Sequence, residues 1–269
     1  CLSLILITGA NRGLGFEMVR QLVEGPCKPR NVFAACRNPD GAQAELKLCD
    51  QNTIFQNIPF IFALADATDP SSIQESAKVV GSKLKGRGLN VLVNNAGVMA
   101  AGNMEDTTDD NMLSAFSTNV MGPMNVIKGF LPYLRTAAKS CDKPGMSCCK
   151  AAVINISTAL GSMSSIPQLY SVFPAFSYSI SKAGLNMLTV CCSLDLKEDG
   201  ILCTALHPGW VRTDTGGPQV TRSAVRDSGH DITQPQAVWT VCLSTLPPDS
   251  APLIYESKML NLLMISDGL

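Results

Sequence analysis

The sequence predicts a doubly wound α/β fold, a single parallel sheet with helices on both faces. Three observations carry this. Short, uniformly apolar runs alternate with longer segments of helical periodicity from the first residues to about position 245. Those runs are too short and too evenly apolar for strands with one wet face, whereas strands buried on both faces have this composition. The first run also ends in a glycine cluster that opens a helix. Alternating strands and helices imply right-handed crossovers, and therefore parallel strands.

The first predicted strand is Leu2–Thr8, and Leu14, Met18, Val19, Leu22 and Val23 follow at helical spacing. At the junction stand Gly9, Gly13 and Gly15. Glycines permit a sharp turn and let a bulky anion approach the backbone. The N–H groups and positive dipole end of the helix then favour a pyrophosphate. The spacing is GxxxGxG rather than GxGxxG, and a tight structural turn is the alternative for the glycines alone. The second strand, Asn31–Cys36, runs into Arg37 with no acidic residue to grip a ribose 2′-hydroxyl. Arg37 and Arg12, converging on one corner, suit a 2′-phosphate and favour NADP(H) over NAD(H). Either arginine by itself reads equally well as surface charge.

The third strand, Phe60–Ala65, closes on Asp66, and the fourth, Leu89–Asn94, leads into Asn95, Ala96 and Gly97. Asparagines ending a buried strand must be hydrogen-bonded. A long helix follows, marked by Met112, Leu113, Phe116, Val120, Met124, Ile127, Leu131 and Leu134. Inside it Pro123 lies four residues after Asn119. Proline has no N–H, so the carbonyl of Asn119 should lose its partner and the helix should bend. Such a carbonyl can hold an ordered water. Strands five and six are Ala151–Ser157 and Ile201–His207. Between them a helix with Leu185, Leu188, Cys192 and Leu196 carries Tyr178 and Lys182, which at i and i+4 share one face. A cation beside a phenol favours its charged form, so the pair predicts a lowered Tyr178 pKa and a proton donor usable near neutral pH. His207 is expected to be a packed residue, and Trp210 to cover a pocket. Three loops exceed minimal length: Lys139–Lys150, Gly161–Phe176 as a pocket mouth, and Thr213–Gln234 as a flap.

The 269 residues suffice for one large domain, and no repeat, charge block or linker divides them. One domain over 1–269 is expected, with substrate loops at about 161–176 and 213–234. A net charge of −1 gives no pull toward nucleic acid or anionic membrane. No apolar run reaches the ~18 residues that span a bilayer, and Leu2–Ile7 is too short for a signal peptide. The eleven cysteines are scattered, odd in number and without a CxxC pair. No metal site is expected, and reduced thiols of a cytoplasmic protein are.

With these residues in place, the sequence resembles the short-chain dehydrogenase/reductase family. The matching positions are Thr8 to Gly15, Asp66, Asn94 to Gly97, Asn119, Ile156 to Thr158, Tyr178 with Lys182, and Pro208-Gly209 followed by Thr213. They occur in family order from residue 3 to about 245. The wording TGANRGLG, the CRNP after the second strand and the longer loop before the tyrosine are most similar to NADPH-linked carbonyl reductases related to the sniffer and C-factor proteins. The resemblance implies a Rossmann fold with NADP(H) held by Gly9, Asn11, Arg12, Gly13, Leu14, Gly15, Arg37, Asp66, Asn95, Ala96, Gly97, Tyr178, Lys182, Pro208, Gly209, Val211 and Thr213. Within that set, Asp66 would accept from the adenine amino group, or else act as a cap or turn residue. Thr213 would reach the carboxamide, though a surface threonine reads nearly as well. Catalysis would rest on Asn119, Thr158, Tyr178 and Lys182, with Asn119 and a water relaying protons to the lysine.

Two departures stand out. The family's second serine, three residues before a glycine, is here Thr158, with Ser157 as the fallback. The tail 247–269 lacks the aromatic, glycine-bearing ending of the subgroup, which leaves the last strand, the C-terminal pocket wall and full activity open. The leading expectation is reduction of a ketone or aldehyde. Oxidation of a secondary alcohol such as a steroid, and a non-catalytic NADPH-binding sensor or scaffold, are the alternatives. The expected partner is a small carbonyl compound, with no nucleic acid and no membrane. Pairing of relatives through two long helices makes a homodimer one option, against which Lys139–Lys150 counts.

Overall fold

The computed structural model of the chain describes residues 4–24, 29–38, 60–142, 145–209 and 254–255. Among these, the strands β1 (Leu4–Thr8), β2 (Asn31–Cys36), β3 (Phe60–Leu64), β4 (Val91–Asn94), β5 (Ala151–Ile156), β6 (Ile201–Leu206) and β7 (Ile254–Tyr255) form one sheet. Its order is β3-β2-β1-β4-β5-β6-β7, and every pairing is parallel. This is the doubly wound Rossmann arrangement expected. Strand ends differ from expectation by a residue or two. β7 pairs with β6 at Ala205 to Ile254 and Leu206 to Tyr255, in the tail where the last strand was left open.

The parallel strands present successive side chains to opposite faces, and each face feeds its own core. Ile5, Ile7, Val32, Val93 and Ile154 pack with Met18, Val19, Leu22 and Val23 of helix α1 (Gly13–Glu24). Leu4, Leu6, Phe33, Leu92 and Val153 meet Ile73, Val80 and Leu84 of α2 (Pro70–Leu84). They also meet Val126, Ile127, Phe130 and Leu134 of a helix spanning Gly122–Lys139. Capping places α2: Asp69 accepts the Ser71 N–H at 2.9 Å and proline opens the first turn.

The long helix expected around Asn119 is not one bent helix. It consists of α3 (Asp109–Phe116), a π-helical turn at Ser117–Met121, and α4 (Gly122–Lys139). Gly122 N–H donates to the Ser117 carbonyl, five residues back. Pro123 has no N–H to offer Asn119, and the turn widens by one residue instead of merely tilting. The rest of the described chain adds a short helix α5 (Ile166–Leu169) inside the predicted mouth loop and α6 (Phe176–Asp195).

A buried polar chain crosses the sheet centre. Asn94 Nδ2 donates to Asn155 Oδ1 at 2.8 Å, Asn155 Nδ2 to Thr189 Oγ1 at 2.8 Å, and Thr189 Oγ1 to the Leu185 carbonyl at 2.7 Å. It fixes β4, β5 and α6 to one another. The connections from β1 and β4 leave in opposite directions, which opens a crevice beyond their carboxyl ends.

Candidate active site

A cavity of about 830 Å³ lies beyond the carboxyl ends of the strands, lined by the residues that follow β1, β2, β3, β4, β5 and β6. That is toward the upper end of the roughly 300–1,000 Å³ typical of small-molecule sites.

One end is built by the glycine turn. Gly9 and Gly13 take positive φ angles of 62° and 54°, which side chains disfavour. Gly9, Asn11, Arg12, Gly13 and Leu14 line the cavity, while Gly15 sits behind it. A Cβ on Gly15 would collide with the Gly9 carbonyl oxygen and come within 2.5 Å of Asn95 Nδ2. Asn95 is the brace of this corner: Nδ2 donates to the carbonyls of Thr8 and Gly9 at 2.9 and 3.1 Å. Thr8 Oγ1 accepts from the N–H groups of Asn95 and Ala96 at 3.0 and 3.1 Å. Helix α1 opens on this turn with no acidic residue in its first turn, so its N–H groups and dipole remain available to an anion. Arg12 and Arg37 both reach the cavity from exposed positions. Asp66 also lines it and at the same time forms a turn, its Oδ1 accepting from Thr68 N–H at 2.9 Å and Thr68 Oγ1 at 2.7 Å. Those bonds, aided by the Arg37 charge, hold the Asp66 carboxyl below its ordinary range against a smaller desolvation effect. Cationic side chains over a glycine bend and a helix N-terminus fit a phosphorylated dinucleotide.

The other end is carried by α6 and the exit of β5. Tyr178 is half-buried and Lys182 is buried, both on the cavity wall. The Lys182 ammonium lies 5.7 Å from the Tyr178 ring centroid and donates to the Ile156 carbonyl at 2.7 Å. The lowered phenol pKa expected from the sequence is corrected here: burial pushes Tyr178 up to about 12 and Lys182 down to about 8. Loss of water penalises phenolate and ammonium alike, and this outweighs the neighbouring cation.

Ser157 and Thr158 both line the cavity but differ in engagement. Ser157 is buried, with Oγ donating to Asn186 Oδ1 at 2.6 Å. Thr158 is half-buried and caps a 3₁₀ turn (Ala159–Gly161), its Oγ1 accepting the Leu160 N–H at 3.3 Å. Asn119 is fully buried and does not line the cavity. Its side chain receives the Val98 N–H at 2.9 Å and donates to the Val98 carbonyl at 2.8 Å and to Ser181 Oγ at 2.9 Å. It therefore ties the wall after β4 to the tyrosine helix. Gly97 makes room, since a Cβ there would stand 3.1 Å from Asn119 Oδ1.

Ala96, Gly97, Pro208 and Gly209 line the cavity, as does the half-buried His207. Trp210, Val211, Thr213 and the flap to Gln234 lie outside the described residues. Two groups were missed in the sequence. Asn155, Asn186 and Thr189 carry the buried polar bonds, and a polar residue inside an otherwise apolar strand was the available signal for Asn155. Val98, Met99 and Leu160 form an apolar wall together with Leu169, Val172 and Phe173, which come from the loop Gly161–Phe176 expected at the pocket mouth. The thiols described, including buried Cys36, Cys148 and Cys203, are free. No metal-holding cluster of His, Cys, Asp or Glu occurs among the described residues. No helix among them is long and apolar enough to cross a membrane.

A family model described as short chain dehydrogenase matches residues 3–223. The NADPH-bound carbonyl reductase from chicken fatty liver is 37% identical, with a TM-score of 0.81 over 96% of this chain and 97% of that one. The carbonyl reductase Sniffer of D. melanogaster is 30% identical, with a TM-score of 0.79 over 95% of this chain and all 100% of that one. NADPH carbonyl reductase 1 of Oryctolagus cuniculus is 29% identical over 272 residues, 91% of each protein.

Proposed function

The chain belongs to the short-chain dehydrogenase family, oxidoreductases acting at CH–OH and C=O groups, and from that premise we propose that it is an NADPH-dependent carbonyl reductase. The observation that carries this is one cavity holding Tyr178, Lys182 and Thr158 at one end and the glycine turn with Arg12 and Arg37 at the other. The similar carbonyl reductases, one of them NADPH-bound, support it.

In this reading Gly9, Asn11, Gly13 and Leu14 hold the pyrophosphate, with Gly15 letting the helix approach. Arg12 and Arg37 pair with the 2′-phosphate, Asp66 meets the adenine, and Asn95, Ala96 and Gly97 form the adenosine-side wall. Pro208, Gly209, Val211 and Thr213 are assigned to the nicotinamide, and Lys182 and Tyr178 to its ribose. When bound, the reduced nicotinamide supplies a hydride to the carbonyl carbon. Tyr178 donates its phenolic proton to the carbonyl oxygen, so the ketone or aldehyde leaves as the alcohol. Lys182 stabilises the phenolate left behind, and Thr158 donates a hydrogen bond to the oxygen as negative charge builds there. Asn119 holds the wall beside this site and serves the route by which the proton is restored.

Reduction is proposed as the working direction on the likeness to carbonyl reductases. Burial keeps the phenol protonated, and that is the form reduction consumes. A non-catalytic NADPH sensor could use Lys182 to hold the ribose but has no need of a phenol proton beside it, which favours the catalytic reading. The partner is a small carbonyl compound. A second copy of the chain is proposed as well, because Ile180, Met187 and Leu194 form an exposed apolar stripe along α6.

The test follows loss of reduced-cofactor absorbance with a panel of quinones, activated ketones and aldehydes. Tyr178→Phe should lower turnover at least ~10²-fold while NADPH still binds in calorimetry. Undiminished turnover in that variant would sink the proposal, and NADPH binding by wild type without any turnover would favour the sensor.

A further inference from the structure

The geometry points to Asn186 as a positioning residue that sets the Thr158 hydroxyl for the reaction, an inference that rests on the carbonyl-reductase reading. Tyr178, Lys182 and Asn186 follow one another at four-residue intervals on α6, so they form one stripe of the helix surface. Tyr178 and Lys182 face the cavity, while Asn186 is buried one turn beyond.

There its side chain grips the loop after β5 at two points. Ser157 Oγ donates to Asn186 Oδ1 at 2.6 Å, and Asn186 Nδ2 donates to the Gly161 carbonyl at 3.1 Å. Thr158 lies between these two anchors. Lys182 adds a third by donating to the Ile156 carbonyl at 2.7 Å. The fit against the helix leaves no slack, since a Cβ on Gly161 would stand 2.8 Å from the Lys182 carbonyl carbon and 3.0 Å from Ala183 N. The short segment 156–161 is thus seated on the same helix that carries the proton donor.

Thr158 needs this support because its own bond is weak. Its hydroxyl accepts the Leu160 N–H at 3.3 Å, which does not by itself fix the side chain toward the cavity. A hydrogen-bond donor to a developing oxyanion works only if it is already aimed. Asn186 supplies the aim by holding the backbone on either side.

The experiment is a double-mutant cycle with Asn186→Leu and Thr158→Ala, reading kcat, KM and the NADPH Kd, together with crystal structures bound to NADP⁺. Asn186→Leu should lower kcat at least ~tenfold with Kd changed less than ~twofold, and the double variant should be no slower than Thr158→Ala alone. Ser157→Ala, which removes one anchor and only one oxygen atom, should show a smaller kcat loss of the same kind, and it decides the matter if Asn186→Leu does not fold. Losses that multiply in the double variant, or a kcat unchanged in both single anchor variants, would overturn the assignment. Should wild type bind NADPH and reduce no carbonyl, the activity fails separately. The crystal structures then decide, and Thr158 unmoved in the anchor variants rejects the role of Asn186.

Discussion

Lys182 keeps its ammonium on the Ile156 carbonyl inside a buried wall, and this has a thermodynamic signature. Its pKa falls from 10.5 to about 8 through desolvation. Below about pH 8 the amine is charged in folded and unfolded chains alike, and the folded chain bears the full cost. Between about 8 and 10.5 the folded amine is neutral while the unfolded one still binds a proton, so stability rises with pH. The shift corresponds to about 3 kcal/mol. Without cofactor, Lys182→Met should therefore be the more stable protein at pH 7, and its advantage should shrink by about that amount as the pH reaches 10. Denaturant unfolding of both proteins across this range measures it, and a constant difference would refute it. The slope from Cys203, pushed up to about 12, is common to the two proteins and cancels, and Tyr178, also pushed up to about 12, stays protonated in both folded proteins below pH 10. At this scale the sequence marked Tyr178 and Lys182 by helical spacing taken together with the upstream glycine turn and the family resemblance. It misjudged the phenol, because helical spacing gives the neighbour and not the loss of water around it.

The strand–turn–helix element at Thr8 to Gly15 shows how a motif can be right for an incomplete reason. The glycines are expected both to allow a sharp turn and to give room to an anion, and at Gly9 and Gly13 positive φ angles do favour glycine. At Gly15 the constraint is internal: helix α1 rests on the Gly9 carbonyl and the Asn95 amide. Gly15→Ala should cost about 1–3 kcal/mol of stability by overpacking. It should also weaken NADPH binding at least ~tenfold by tilting the first turn. Unfolding midpoints and calorimetric titration would show both, and intact stability would mean that the helix has space to shift. The π turn at Ser117–Met121 teaches the same point. Pro123 announced a disturbed helix, but the widened turn rather than a bend is seen only in the structure, where a Cβ on Gly122 would stand 3.2 Å from Ala67 Cβ.

Across the whole molecule, the face of α6 turned from the sheet remains apolar. Ile180, Met187 and Leu194 recur every seven residues, 40%, 62% and 63% exposed, and Phe116 on the neighbouring α3 is also exposed. Sedimentation velocity should find a dimer of the 28.6 kDa chain, and Met187→Glu should return it to monomer by placing a charge where apolar surface is buried. A wild-type monomer at micromolar concentration would reject the pairing. By itself, the sequence determined the parallel sheet and marked the glycine bend, Arg37 after the second strand and the Tyr–Lys pair, since each follows from local periodicity or spacing along one element. Tertiary structure alone decided that Ser157 is tied to Asn186 while Thr158, the sequence's own choice, keeps only a weak cap bond beside the cavity, that Asn119 stands behind the wall, and that Asn155 and Asn186 hold strands to helix. Those outcomes depend on which distant segment faces each side chain and on how much water is left around it, and neither is encoded in the spacing of residues along the chain.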